Sequence, residues 1–131
     1  MHITGIYAAL AAALIIILSA RVIARRRSVR IGIGDGGDKE LALCVRAHGN
    51  AIEYLSIGLI LLLLVEMNQT QPLLVHSFGI ALLVGRVMHA VGLSRSSGPS
   101  FGRVGGMILT LTVLGCMAAL LIWQFVLRLT V

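Results

Sequence analysis

Four apolar runs separated by short polar breaks leave this chain few folds to adopt. The first, Ile3 to Ala20, contains no charged residue. At about 1.5 Å of rise per residue it is long enough to cross a hydrocarbon core of about 30 Å. A second run opens near Leu41 and is almost unbroken from Ile57 to Val65. A third follows Pro72, and a fourth follows Arg103. With 58% hydrophobic residues, against roughly 45–50% in soluble domains, the chain reads as an integral membrane protein. Its 131 residues allow one domain. The expectation is therefore an all-α, four-helix transmembrane bundle occupying 1–131, with helices at about 3–23, 41–67, 73–93 and 104–126.

The breaks carry their own signals. A net charge of +6 does not point to nucleic acid here, because Arg21, Arg25, Arg26, Arg27 and Arg30 gather directly after an apolar run, as juxtamembrane arginines do. A cleaved signal peptide places its positive charge before the apolar stretch; here the charge follows, so the first segment is expected to stay and span. Gly32-Ile33-Gly34-Asp35-Gly36-Gly37-Asp38 lacks both a preceding strand and a following Lys-Ser/Thr pair, so it reads as a turn into a helix rather than a phosphate cradle. Asp38 and Glu40 suit that helix start. Pro72 suits the first turn of the third helix. Ser94-Arg95-Ser96-Ser97-Gly98-Pro99-Ser100 forms the last break, and Trp123 stands where an interfacial aromatic belongs. Gly102 and Gly106 form a small-xxx-small pair that lets one helix approach another closely. Cys44 and Cys116 lie in apolar stretches without metal-ligand or disulfide spacing, and no metal is expected.

Lys and Arg counts set the orientation. The first and third breaks contain Arg25, Arg26, Arg27, Arg30, Lys39 and Arg95, whereas Asn68 to Gln71 contains none. Both basic loops are expected to face the cytoplasm, with both termini outside. Arg21, the start of helix two, the end of helix three and Arg103 then share the cytoplasmic half.

The stretch Arg46-Ala47-His48-Gly49-Asn50-Ala51-Ile52-Glu53-Tyr54 places Arg46, Asn50, Glu53 and Tyr54 at i, i+4, i+7 and i+8, on one helical face. Charges at this depth must pair with neighbouring helices or line a watery cavity, since each costs on the order of 2.5–3.5 kcal/mol mid-membrane. One reading pairs Arg46 with Glu53 and has Arg86 and His89 cap backbone carbonyls or reach lipid phosphate. Against it, Arg21, Arg46, Arg86 and Arg103 face one acid at this level, Glu53, and an excess of fixed positive charge calls for an anion. Two carboxylates for arginine forks, an ammonium for Glu53 and amides for Asn50 and Tyr54 make up the inventory of glutathione. An arginine beside its thiol would favour the thiolate.

The same nine residues resemble the second-helix signature of the MAPEG proteins, the membrane-associated proteins of eicosanoid and glutathione metabolism. Gly34-Asp35-Gly36-Gly37, Glu66-Met67-Asn68 and Gly85-Arg86-Val87-Met88-His89 resemble its bacterial YecN-type branch. The resemblance implies a homotrimer of four-helix protomers in a bacterial inner membrane, with glutathione as co-substrate between adjacent protomers near the cytoplasmic side. It implies a glutathione transferase or peroxidase acting on a small lipophilic electrophile or hydroperoxide, with membrane lipid around it and no nucleic-acid partner. Arg46, Asn50, Glu53, Tyr54 and Arg21 match glutathione contacts, Arg86 and His89 join the binding set, and Arg103 matches the arginine that activates the thiol. Where the synthases carry tyrosines along helix three, this chain has His89 and Leu93, and Ser56 replaces a common proline. Two other readings stand beside this one. A non-catalytic member would keep the fold and bind an anionic ligand. A small multidrug transporter would need an acid in helix one beside aromatics, whereas helix one has no acid and the chain is only 5% aromatic.

Overall fold

The computed structural model describes residues 3–95 and 98–129; Ser96 and Ser97 of the third predicted loop lie outside the described residues. Four helices account for nearly all of it: α1 (Ile3–Val29), α2 (Lys39–Met67), α3 (Pro72–Arg95) and α4 (Phe101–Leu129). Each is long and apolar enough to cross a membrane. This is a multi-pass, all-helical membrane architecture.

Sequence spacing explains the packing. On α2 the buried residues are Leu41, Cys44, Ala47, Ala51, Leu55, Gly58, Leu62 and Val65, and on α4 they are Gly106, Thr110, Val113 and Met117. Steps of three and four, mixed in about equal number, confine burial to one stripe per helix, the pattern of near-parallel, left-handed bundle packing. The remaining surface is apolar too, with Ile16, Ile60, Ile108 and Ile122 all exposed, as lipid contact requires. The helices α2 and α3 touch both other helices, whereas among the described residues α1 and α4 do not meet. The α2–α3 pair is thus a central wall with α1 on one side and α4 on the other.

The closest packing is between α3 and α4. A Cβ on Gly106 would lie 2.5 Å from the His89 nitrogen, and one on Gly102 would lie 2.9 Å from the Met88 carbonyl oxygen. The small-xxx-small pair is therefore spent on α3 of the same protomer.

The helix ends are held by side chains. Asp38 is the N-cap of α2, its carboxylate accepting from the Leu41 N–H at 2.7 Å. The turn before it bends through Gly34, Gly36 and Gly37, all at positive φ, which glycine alone adopts without strain. Helix α1 runs six residues beyond the predicted end at 23 because its arginines find acceptors there. Arg25 pairs with Asp38 at 2.7 Å and with Glu40 at 2.8 Å, and Arg26 donates to the carbonyls of Ile31, Gly32 and Gly34. At the opposite end of the bundle the Glu66 carboxylate accepts from the N–H groups of Ile3 and Thr4, meeting the unpaired amides and positive end of α1.

Candidate functional site

The polar residues of α2 stand one position before its buried stripe: Arg46 precedes Ala47, and Asn50 precedes Ala51. That offset, about 100° around the helix, turns them off the α2–α3 contact toward the gap beside α4. A cavity of about 560 Å³ opens there. Arg46, Asn50 and Glu53 line it from α2, His89 and Leu93 from α3, and Arg103 and Met107 from α4. Val45, Val104 and Ile108 complete an apolar rim, and all three are exposed on the outer surface. Five of the eight residues singled out from the sequence are thus brought together.

Arg46 and Glu53 make no hydrogen bond or ion pair among the described residues. They stand seven positions apart, about 10 Å along the helix axis, and among the described residues no charged group from α3 or α4 pairs with either. The internal salt bridge weighed from the sequence is absent from the protomer's described residues. The cavity holds a cation and an anion apart on one wall.

His89 is only 5% exposed, and its Nδ1 lies 2.9 Å from the Arg103 carbonyl oxygen. A carbonyl only accepts, so Nδ1 carries a proton and donates it to this bond. This bond also ties α3 to the first turn of α4, which begins where the Arg103 N–H donates to the Ser100 hydroxyl at 3.3 Å. The Arg103 side chain lines the cavity while its Nη1 reaches the Gly98 carbonyl at 3.5 Å.

Arg86 and Tyr54 sit elsewhere. Arg86 is 1% exposed and packs behind the cavity wall. Its Nε donates to the Thr110 hydroxyl at 2.8 Å, Nη1 to Asn50 Oδ1 at 2.8 Å, and Nη2 to the Gly106 carbonyl at 3.3 Å. Its guanidinium lies 4.9 Å from the centroid of the Tyr54 ring, within cation–π range. Neither residue lines the cavity of the isolated protomer. Arg21 lies across the α2–α3 wall, in a groove of about 320 Å³ with Arg25, Glu40 and Cys44, and donates to the Ser94 hydroxyl at 2.9 Å.

Sequence reasoning named Leu93 only as standing where the synthases carry a tyrosine, and it missed Met107 as a cavity residue and Thr110 as a partner of Arg86. Thr110 carried a readable signal: it extends the Gly102, Gly106 spacing by four, which puts a hydroxyl on the face that meets α3. Among the described residues no cluster of His, Cys, Asp or Glu has a metal-binding arrangement.

Two comparisons bear on this arrangement. Inner membrane protein YecN of Escherichia coli strain K12 and that of Escherichia coli O6:H1 strain CFT073 are each 43% identical to the chain over 90 residues, covering 69% of this chain and 69% of theirs. The MAPEG family model matches residues 4–123, a span that takes in the whole cavity wall, and the chain belongs to the MAPEG family.

Proposed function

We propose that this protein binds glutathione in the α2–α3–α4 cavity and uses it as a transferase or peroxidase toward a lipophilic substrate in a bacterial inner membrane. The observation that carries the reading is that Arg46 and Glu53 share a cavity wall and pair with nothing among the described residues of the protomer. A zwitterionic peptide meets both needs, offering carboxylates to Arg46 and an ammonium to Glu53. A cavity of about 560 Å³ lies within the ~300–1,000 Å³ of small-ligand sites. The apolar rim on the lipid-facing surface suits a second substrate dissolved in the bilayer.

Arg103 has the role of stabilising the thiolate, the nucleophilic form of the sulfur. In conjugation that sulfur forms a bond to carbon as a leaving group departs with its electron pair. In the peroxidase alternative, two thiols reduce one hydroperoxide to an alcohol and water and end as a disulfide. Arginine acts only as a fixed charge, because it does not release its proton.

The assembly is a homotrimer in which Arg21, facing away from its own protomer's cavity, serves the cavity of a neighbour. The basic first and third loops face the cytoplasm and both termini face the periplasm. Native mass spectrometry in detergent should give three protomers per particle.

The grip of Gly98 on Arg103 favours a second reading, a non-catalytic family member that binds an anion. Turnover separates the two. With glutathione and 1-chloro-2,4-dinitrobenzene, the enzyme reading expects saturable release of chloride that is lost in Arg103→Ala. Binding without turnover in the wild type would leave the non-catalytic reading.

A further inference from the structure

Arg86 is a cation inside a membrane-spanning helix, and among the described residues no carboxylate pairs with it. Its partners are neutral acceptors on two other helices. On α4 the Thr110 hydroxyl accepts from Nε and donates to the Gly106 carbonyl at 2.8 Å, and that carbonyl also accepts from Nη2. On α2 the partner is Asn50 Oδ1. One side chain on α3 thus fastens both other helices that frame the cavity.

We infer that Arg86 is a positioning residue, which acts on the bound ligand through Asn50. An amide side chain has one accepting and one donating end, and either can face a neighbour. A guanidinium only donates, so the bond at 2.8 Å fixes Oδ1 toward Arg86 and turns Nδ2 the other way. Asn50 also lines the cavity, and its Nδ2 has no hydrogen-bond partner among the described residues. The two N–H bonds therefore present donors to an anion or a peptide carbonyl. The opposite amide orientation would present a lone pair there and repel the same ligand. Tyr54, under the guanidinium, and Thr110, beside it, hold Arg86 in place. This inference rests on the ligand-binding reading of the cavity.

The test is a double-mutant cycle on full-length protein in detergent, with glutathione as the probe and selective ¹⁵N-asparagine labelling as a second readout. The chain contains two asparagines, Asn50 and Asn68, so Asn50→Ala assigns the side-chain amide signals. Arg86→Met and Asn50→Ala should each weaken glutathione binding about tenfold, the worth of roughly one hydrogen bond to a charged group. The double variant should bind no more weakly than either single one. The Asn50 Nδ2, ordered in the wild type, should become mobile in Arg86→Met, while Asn68, held by Gln124 at 2.9 Å, stays as it was. Losses that multiply, or wild-type affinity in Arg86→Met, overturn the inference.

If Arg86→Met does not fold, Asn50→Asp takes its place. It keeps an acceptor for Arg86 but offers the cavity no donor, so it should remain as stable as the wild type and bind about tenfold more weakly; wild-type affinity there overturns the inference. If the wild-type protein binds no glutathione, the functional reading falls on its own, and the order of Nδ2 decides this point. Mobility on Arg86→Met upholds the positioning role, and unchanged order overturns it.

Discussion

Replacing Gly106 with alanine tests the contact on which the cavity is built. The new Cβ would stand 2.5 Å from the His89 nitrogen and 2.6 Å from the Gly85 carbonyl oxygen. Both are backbone atoms in the middle of α3 and cannot swing aside. Comfortable separation is about 3.5 Å, so the helices must part by about 1 Å at this level. That displacement carries the bonds from Arg86 Nη2 to Gly106, now 3.3 Å, and from His89 to Arg103, now 2.9 Å, beyond useful range. Overpacking costs typically ~1–3 kcal/mol, and a lost bond to a charged group costs about 1.5–3 kcal/mol. The gain in helix propensity returns about 1 kcal/mol. Gly106→Ala should therefore lose about 2–4 kcal/mol net, the two penalties overlapping in part. Gly105→Ala is the matched control, since its Cβ meets only the flexible end of Met88 at 3.7 Å. It should be neutral or more stable by up to about 1 kcal/mol. Thermal unfolding in detergent, followed by the single tryptophan, Trp123, compares the two. Equal stability of Gly106→Ala and Gly105→Ala would refute the close α3–α4 contact.

Further outcomes follow from the same geometry. Arg46→Ala and Glu53→Ala should unfold at nearly the wild-type temperature, because neither side chain has a partner to strand among the described residues, whereas Arg86→Ala should melt several degrees lower by orphaning buried acceptors. Arg103→Ala should keep glutathione affinity within a few-fold while abolishing conjugation, the pattern of a group that acts on the thiolate rather than on the peptide. The Arg25 guanidinium, and then the Leu41 N–H, hold the Asp38 carboxyl below the ordinary value of 3.8. Its contribution is therefore complete above that value and is lost as pH falls through the depressed one, so melting curves of the wild type and Asp38→Asn should differ at pH 7 and converge in strong acid. In a background lacking the exposed Cys116, a cysteine at Gln69 should react with an impermeant reagent added outside spheroplasts, and one at Gly36 should not.

The fold was legible because lipid is a demanding solvent. A backbone that crosses it must satisfy its own hydrogen bonds, so apolar length and polar breaks sufficed to place four helices, and Asp38 announced the start of α2. The overrun of α1 was not legible by the same rule: three consecutive arginines count as a polar break, yet arginine is a good helix former, and only tertiary structure shows that Asp38, Glu40 and loop carbonyls receive them. The polar face of α2 was readable from spacing, but of its four residues Arg46, Asn50 and Glu53 line the cavity whereas Tyr54 lies under the Arg86 guanidinium. Direction was harder. Arg86 counted toward an excess of positive charge, but a sequence cannot show that neutral acceptors on two helices absorb its donors. Arg21 sat at the right depth on the wrong side of the α2–α3 wall for its own cavity. Gly102 and Gly106 promised a close approach without naming the partner, because a glycine records that something comes near and not what it is.

The measurement closest to the central claim is isothermal titration of glutathione into the purified wild-type protein, repeated on Arg46→Ala and Glu53→Ala with melting curves taken alongside. Saturable binding in the wild type is expected, falling about 10-fold to 150-fold in each variant as one charge-assisted bond worth ~1.5–3 kcal/mol is lost, with melting temperatures unchanged. Absence of saturable binding at millimolar glutathione, or loss of affinity only in step with loss of the fold, would contradict it.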